Sequence, residues 1–380
     1  MAKILIISAR EDVPWDESEE LWAQAAKILA QKHQVAYSVH AWPELHPRIR
    51  DLEAAGVKII PRRRTLSRAT DLANWFLPHM LQRRPVEPME EALRMFDPDL
   101  VLISQAGTTD GISPMQVCRN SNVPYVDVIQ EVPEGVCWPH DHEIERQRPF
   151  YHDSKCLFFV SERNHEFLET QYSTRFPNYR IIRNPFNVDY RNKVAWPSLE
   201  TPLRLACVAR LELYTKGQDL LIDVLSLPKW RERALTIDLF GCGPNEWIIR
   251  EQIKRLNLTN LAVHGQLDNI ASVWGDHHAL ILPSRQEGLP LALVEAFLCG
   301  RPALVTRVGG NAELVEDGVN GFIAPAPTIE LIDQALERLW ENRARVEAMG
   351  SSARKTAEQK IPQKPVEAFV EQLLALLPKN

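Results

Sequence analysis

The chain has 380 residues, 45% of them apolar and 25% charged, with a formal charge of −6. That length exceeds one typical core and predicts two domains of ordinary size, in a composition that belongs to a globular rather than a disordered chain. The net negative charge excludes a general nucleic-acid binder, whose footprint is strongly basic, and Cys118, Cys137, Cys156, Cys207, Cys242 and Cys299 contain no Cys-x-x-Cys pair that would announce a zinc site or a redox couple.

Met1 to Ser8 lacks the basic start and long apolar core of a signal peptide. No apolar run approaches the ~20 residues needed to span a bilayer. The expected setting is cytoplasmic, peripheral to the inner face of a membrane where the chain touches one.

In chain order, Lys3 to Ser8 predicts a buried strand of the parallel type. Asp16 with Glu19 forms a helix-start pattern before the amphipathic run Leu21, Ala25, Ile28, Leu29, and Gln34 to His40 gives a second strand, so the chain opens as a βαβ unit. The segment 61–84 has basic ends, Pro61-Arg62-Arg63-Arg64 and Arg83-Arg84, around the aromatic pair Trp75-Phe76. It suits an anionic membrane surface, an anionic acceptor, or an ordinary surface helix with a packed aromatic pair. Asp97-Pro98-Asp99 precedes the strand Leu100 to Ser104 and reads as a turn, not a metal pair. His140 to Glu143 offers metal-type ligands at no zinc spacing and reads as a solvated helix start. Strands follow at Pro124 to Gln130, Leu157 to Ser161 and Arg180 to Arg183, and the segment from Tyr190 to Pro202 reads as a linker.

The second half restarts with strand Leu203 to Ala209, helix Gln218 to Leu225 and strand Leu235 to Phe240. The turn Gly241-Cys242-Gly243-Pro244, helix Trp247 to Leu256 and strand Leu261 to His264 complete a second doubly wound unit. Gly241-x-Gly243 lacks the third glycine of the dinucleotide fingerprint, which disfavours a nicotinamide cofactor.

Most of the chemical signal lies in Pro283 to Glu295. An apolar run, His278 to Leu282, predicts a buried strand, and Pro290 opens a helix. Ligands of open α/β sheets bind beyond the carboxyl ends of the strands, where helix N-termini present free N–H groups to anions. Gly288 lets backbone approach a ligand there. Glu287 and Glu295 lie on the order of 10 Å apart at ~1.5 Å rise per residue, a span suited to two hydroxyl-bearing rings joined by a diphosphate. Arg210 ends the strand that begins the second half, and Lys216 precedes Gly217 in the loop after it.

This stretch, Ser284-x-x-Glu287-Gly288-x-Pro290 with Glu295, resembles the signature of retaining glycosyltransferases of family 4, which have the GT-B fold: two Rossmann-like doubly wound domains facing a central cleft. The resemblance implies an acceptor-side domain over 1–195, a nucleotide-sugar-binding domain over 196–362, and a C-terminal helix in 363–380 packing back on the first domain. It implies a retaining, metal-independent hexosyltransferase that moves a sugar from a UDP- or GDP-linked donor to a glycan or lipid-linked acceptor, in polysaccharide or glycolipid biosynthesis. No cofactor is implied beyond that donor. Glu287 then contacts the donor sugar and Glu295 the ribose; Arg210 and Lys216 hold the diphosphate; Gly288, Leu289 and Pro290 add helix-end amides; Gly241, Gly243, Gln266 and Leu267 border the nucleotide.

Two departures from the family pattern bear on function. Where relatives carry Gly-Gly before the first helix, this chain has Trp15 to Trp22 with Asp16 and Glu17, which either favour the helix dipole or face a cationic or hydroxyl-rich acceptor. Where many relatives place a cleft histidine, Gln130 stands, able to hydrogen-bond a sugar but not to move a proton, with Glu134 and His140 as the nearest ionisable substitutes. Two alternatives stand beside this reading: a sugar-nucleotide epimerase of the same architecture, which needs acid-base residues that the Gln130 position does not offer, and, motivated by both departures, a nucleotide-sugar-binding protein without turnover.

Overall fold

In a computed structural model of the chain, residues 1–10, 13–62, 88–134, 138–191, 194–198, 202–267 and 269–378 are described. Seven strands build a first parallel sheet: β1 Lys3–Ser8, β2 Gln34–His40, β3 Lys58–Arg62, β4 Leu100–Gln105, β5 Tyr125–Ile129, β6 Leu157–Phe159 and β7 Tyr179–Ile181, in the order β3-β2-β1-β4-β5-β6-β7. Six build a second: β8 Leu203–Val208, β9 Leu235–Phe240, β10 Leu261–Gly265, β11 Ala279–Leu282, β12 Ala303–Thr306 and β13 Gly321–Ala324, in the order β10-β9-β8-β11-β12-β13. Each is an α/β doubly wound unit. The order reverses between β1 and β4 in one lobe and between β8 and β11 in the other, and it is outside the carboxyl ends of such strands that a crevice opens.

The near-continuous apolar strands follow from burial on both faces. In β1, Ile4 and Ile6 enter one core with helix Glu20–Leu29, while Leu5 and Ile7 enter the other with helices Pro88–Phe96 and Ile112–Asn120. Helix Pro365–Leu374 returns to the first lobe, where Val366, Phe369, Val370 and Leu373 join the core that holds Ile4 and Ile6, and the Phe369 ring meets Phe158 edge-on at 5.2 Å.

The lobes touch where glycines permit it. A Cβ on Gly288 would stand 2.0 Å from the Gln130 carbonyl oxygen, and one on Gly310 would stand 2.8 Å from the Ser161 Cβ. Val160 of the first lobe belongs to the core of the second. Beside this contact Glu313 reaches across, its Oε1 accepting the Arg163 N–H at 3.1 Å and its Oε2 an Arg183 guanidinium N–H at 3.4 Å.

Some local expectations are revised. Asp16 caps only a short 3-10 turn, Glu17–Glu19, before the helix starts at Glu20. Glu19 does not close a capping box with it; its carboxyl accepts the Ser8 hydroxyl, because the turn points it inward. Of the basic and aromatic segment 61–84, all beyond Arg62 lies outside the described residues. Arg62 itself is buried, donating to the Ser38 carbonyl at 2.6 Å and the Ser8 carbonyl at 2.9 Å, so it serves the sheet rather than a membrane. Asp97-Pro98-Asp99 is a turn, with Asp99 accepting the Lys3 N–H at 2.7 Å. Among the described residues no helix is long and apolar enough to cross a membrane.

Asp127, in the middle of β5, is fully buried against Gln105 Nε2 at 3.1 Å, and burial pushes its carboxyl up to about 7. The folded state therefore keeps a proton that the unfolded state releases near pH 4, and stability falls as pH rises from there through about 7. Asp127→Asn is expected to remove a slope of about 1.4 kcal/mol per pH unit over that window. Urea titrations between pH 4 and 8 measure it; an unchanged slope refutes it.

Candidate active site

The second lobe supplies the charged wall. β8 and β11 are neighbours, with Ala279 beside Leu205, so the loops leaving them lie side by side although far apart in sequence. The Arg285 and Gln286 N–H groups both donate to Thr215 O, at 2.7 and 3.2 Å, and the Arg285 guanidinium grips Asp219 at 2.6 and 2.8 Å. Gly217 takes a left-handed φ of 68°, and a side chain there would strike Pro283 O at 2.3 Å. These ties bring Lys216 Nζ to 2.9 Å from Glu287 Oε2, while Glu287 Oε1 accepts the Ser284 hydroxyl at 2.7 Å.

Burial by itself would depress the Lys216 ammonium, but the carboxylates of Glu287, Glu131 and Glu212 outweigh it and the net shift is upward. The lysine therefore stays charged at neutral pH. Arg210, on the same loop, exposes its side chain, which forms no hydrogen bond or ion pair with another described residue. The chain thus brings together one cation already paired and one open.

Pro290 is the N-cap of helix Leu291–Leu298, one residue earlier than the first-turn position its ring suits equally well. The N–H groups of Gly288 and Leu289 donate to no other described residue, which leaves them for an anion. The Leu289 side chain itself packs into the second lobe's core. Glu295, buried in that helix, accepts both the Asn187 N–H at 2.8 Å and its side-chain amide at 3.2 Å on a single oxygen, Oε1. Burial raises its carboxyl to about 7, against those two bonds, and the charge of Glu17 across the cleft adds to the rise.

Gly241 and Gly243 answer to protein packing. A Cβ on Gly241 would fall 2.2 Å from Ala209 O, and one on Gly243 2.4 Å from Leu211 O; the Leu211 N–H donates to Cys242 O at 3.0 Å and the Gly241 N–H to Gly265 O at 2.8 Å. The turn is thus riveted to the loop that carries Arg210. Gln266 and Leu267 are exposed just past β10. From β10 to β11 is three strand steps, roughly 14 Å, so the rim runs from Gln266 past Arg210 and Lys216 to Glu287.

On the first lobe the expectations need correcting. Gln130 does not offer its amide to the cleft: Nε2 donates to Ser18 O at 3.0 Å and to Asn184 Oδ1 at 3.4 Å, and Oε1 accepts the Asn184 amide at 2.8 Å. It ties strand end, first-helix loop and inter-lobe crossing. Glu134 is paired with Arg163 at 2.7 Å, and His140 is exposed as the N-cap of helix Asp141–Asp153 with its N–H on Glu143 at 2.9 Å. Neither is among the groups that face Lys216. The residue that faces the charged wall is Glu131, whose carboxyl burial pushes up to about 7 while Lys216 draws it down. Its only signal in the sequence was an acidic residue just past a buried strand. Among the described residues no cluster of three or more His, Cys, Asp or Glu is arranged to hold a metal ion.

Residues 190–356 match the family described as glycosyl transferases group 1. An uncharacterised glycosyltransferase of Methanocaldococcus jannaschii is 29% identical over 141 residues, 37% of this chain and 39% of the relative. The N-acetyl-alpha-D-glucosaminyl L-malate synthase of Bacillus anthracis is 32% identical over 120 residues, 31% of each chain. The chain thus spans well under half the length of these curated relatives. The crystal structure of Anabaena HepE with UDP aligns over 98% of this chain and 99% of that one, with a TM-score of 0.74 at 18% identity. Staphylococcus aureus TarM, crystallised with fondaparinux, alpha-GlcNAc-glycerol and UDP, aligns over 100% of both chains with a TM-score of 0.72 at 14% identity. The fold is GT-B.

Proposed function

Because residues 190–356 match the family described as glycosyl transferases group 1, we propose that the protein transfers a hexosyl group from a nucleoside-diphosphate sugar to a hydroxyl acceptor on a glycan or lipid-linked glycan, in polysaccharide or glycolipid biosynthesis. The observation that carries this reading is the Lys216–Glu287 pair at 2.9 Å, set beside the open Arg210 and the free N–H groups of Gly288 and Leu289. Fixed positive charge of this kind stabilises a diphosphate more as it departs than while it is bonded, which is what accelerates the step. No bound metal is required by that scheme.

Glu287, held at both oxygens, is a poor nucleophile and a good template for donor hydroxyls. Retention then follows a front-face course, in which the leaving phosphate receives the acceptor's proton as the new bond forms. UDP is the favoured nucleotide, since it occupies the HepE and TarM complexes.

Incubation with UDP-glucose, UDP-N-acetylglucosamine and GDP-mannose, followed by NMR, tests the reading. Release of nucleoside diphosphate with an α-configured product supports it. A changed sugar still attached to nucleotide indicates an epimerase, and binding without release indicates a protein that holds the donor only. Glu295→Ala is expected to weaken nucleotide binding at least tenfold, the loss of one charge-assisted hydrogen bond, with calorimetry as the check; an unchanged Kd removes Glu295 from the site.

A further inference from the structure

Glu131 lies two residues past the end of β5, at the carboxyl edge of the first lobe. Its neighbours are pinned: the Gln130 N–H donates to Gln105 O at 3.2 Å and the Val132 N–H to Asn164 Oδ1 at 2.8 Å. The Gln130 carbonyl sits in the space that Gly288 leaves by having no side chain. Glu131 is thus presented from a fixed backbone, and it faces Lys216, Glu287 and Glu212 of the second lobe and Arg10 of its own.

The other carboxyls in that set have partners. Glu287 has Lys216 and Ser284, and Glu212 accepts the Thr215 hydroxyl at 2.7 Å. Glu131 forms no hydrogen bond or ion pair with any described residue. Glu131 is half-buried, and a partly desolvated carboxyl that no protein group satisfies belongs where a ligand completes it. The donor's phosphates belong to the opposite wall, with Lys216 and Arg210. What remains for Glu131 is the second substrate.

Resting on the sugar-transfer reading, we propose that Glu131 anchors the acceptor, its carboxylate receiving hydrogen bonds from hydroxyl or ammonium donors next to the attacking oxygen and turning away acceptors that are anionic there. A sugar hydroxyl or protonated amine gains a charge-assisted bond, whereas a carboxylate or phosphate in the same place meets a like charge.

The test uses full-length wild type, Glu131→Gln and Glu131→Asp. UDP and GDP binding is measured by calorimetry, and binding and turnover of three p-nitrophenyl glycosides, the β-glucoside, the 2-amino-2-deoxy-β-glucoside and the β-glucuronide, are measured with the nucleotide or donor that the wild type accepts. In Glu131→Gln, nucleotide Kd is expected to stay within twofold while the glucoside KM, or its dissociation constant, rises at least thirtyfold. In wild type that constant worsens as pH falls below about 7, a dependence the glutamine variant lacks. The glucuronide is excluded by wild type and admitted by Glu131→Gln. Glucoside and glucosaminide arms separate a hydroxyl from an ammonium donor.

Unchanged acceptor constants and pH dependence in Glu131→Gln overturn the proposal, as does a wild type that binds none of the three or prefers the glucuronide. Should the glutamine variant not fold, Glu131→Asp, which keeps the charge and shortens its reach, gives an intermediate acceptor constant; a wild-type constant overturns the proposal equally. A wild type that binds neither UDP nor GDP defeats the sugar-transfer reading itself, which is a different result from loss of acceptor discrimination.

Discussion

Lys216→Ala is expected to lower sugar transfer by about a thousandfold, mostly in kcat. Removing one preorganised donor aimed at developing charge is worth a factor of about 10² to 10³, and Lys216 is more than a donor: it is the counter-charge of Glu287 at 2.9 Å. Without it Glu287, nearly inaccessible to water, is left as a buried carboxylate without its counter-charge. Breaking a buried pair from one side destabilises a protein by about 3 kcal/mol, so a lower melting temperature should accompany the kinetic loss. Lys216→Arg restores charge but not the point geometry and should recover stability before it recovers rate. Steady-state kinetics beside thermal melts separate the two; a fall confined to KM would mean that Lys216 binds ground and transition states alike and would refute the assigned role.

Gly288→Ala is expected to abolish most activity while leaving each lobe folded. The added Cβ would stand 2.0 Å from Gln130 O and 2.9 Å from a Val160 methyl, and the first of these is backbone that cannot rotate away. The lobes must separate or tilt by about an ångström, and a misplacement of that size costs about a hundredfold when reacting groups come from both sides of a cleft. Small-angle scattering should show the wider molecule, and chemical unfolding should show nearly unchanged stability of the individual lobes. Activity within threefold of wild type would mean that the contact seen here is not the working arrangement.

What was legible in the sequence follows from what is local. Apolar runs with no alternation gave strands buried on both faces, and the short loop from Pro283 to Pro290 marked the passage from a strand end into a helix because a glycine and a proline fix its shape. Arg210, Lys216 and Glu287 could be assigned to one edge because neighbouring parallel strands deliver their carboxyl ends there, but the Lys216–Glu287 ion pair itself was not legible. Gln130 and Glu131 were harder: side chains alternate about a strand, so an error of one residue exchanges the group that ties the scaffold for the one that faces the cleft. Glu19 looked like a helix cap, but Ser8, at the end of β1, competes for it. Glu313 carries no local mark of its role, since only the docking of two lobes reveals that it accepts an amide from helix Glu162–Tyr172.

The course of helix Pro365–Leu374 has a bearing on synthesis. The ribosome starts the first lobe with β1 but supplies Val366, Phe369 and Leu373, which cover the β1 face holding Ile4 and Ile6, only after the whole second lobe has emerged. The nascent first lobe therefore has helix Glu20–Leu29 on that face from early on, but the apolar share that Val366, Phe369 and Leu373 cover stays open while the second lobe is made.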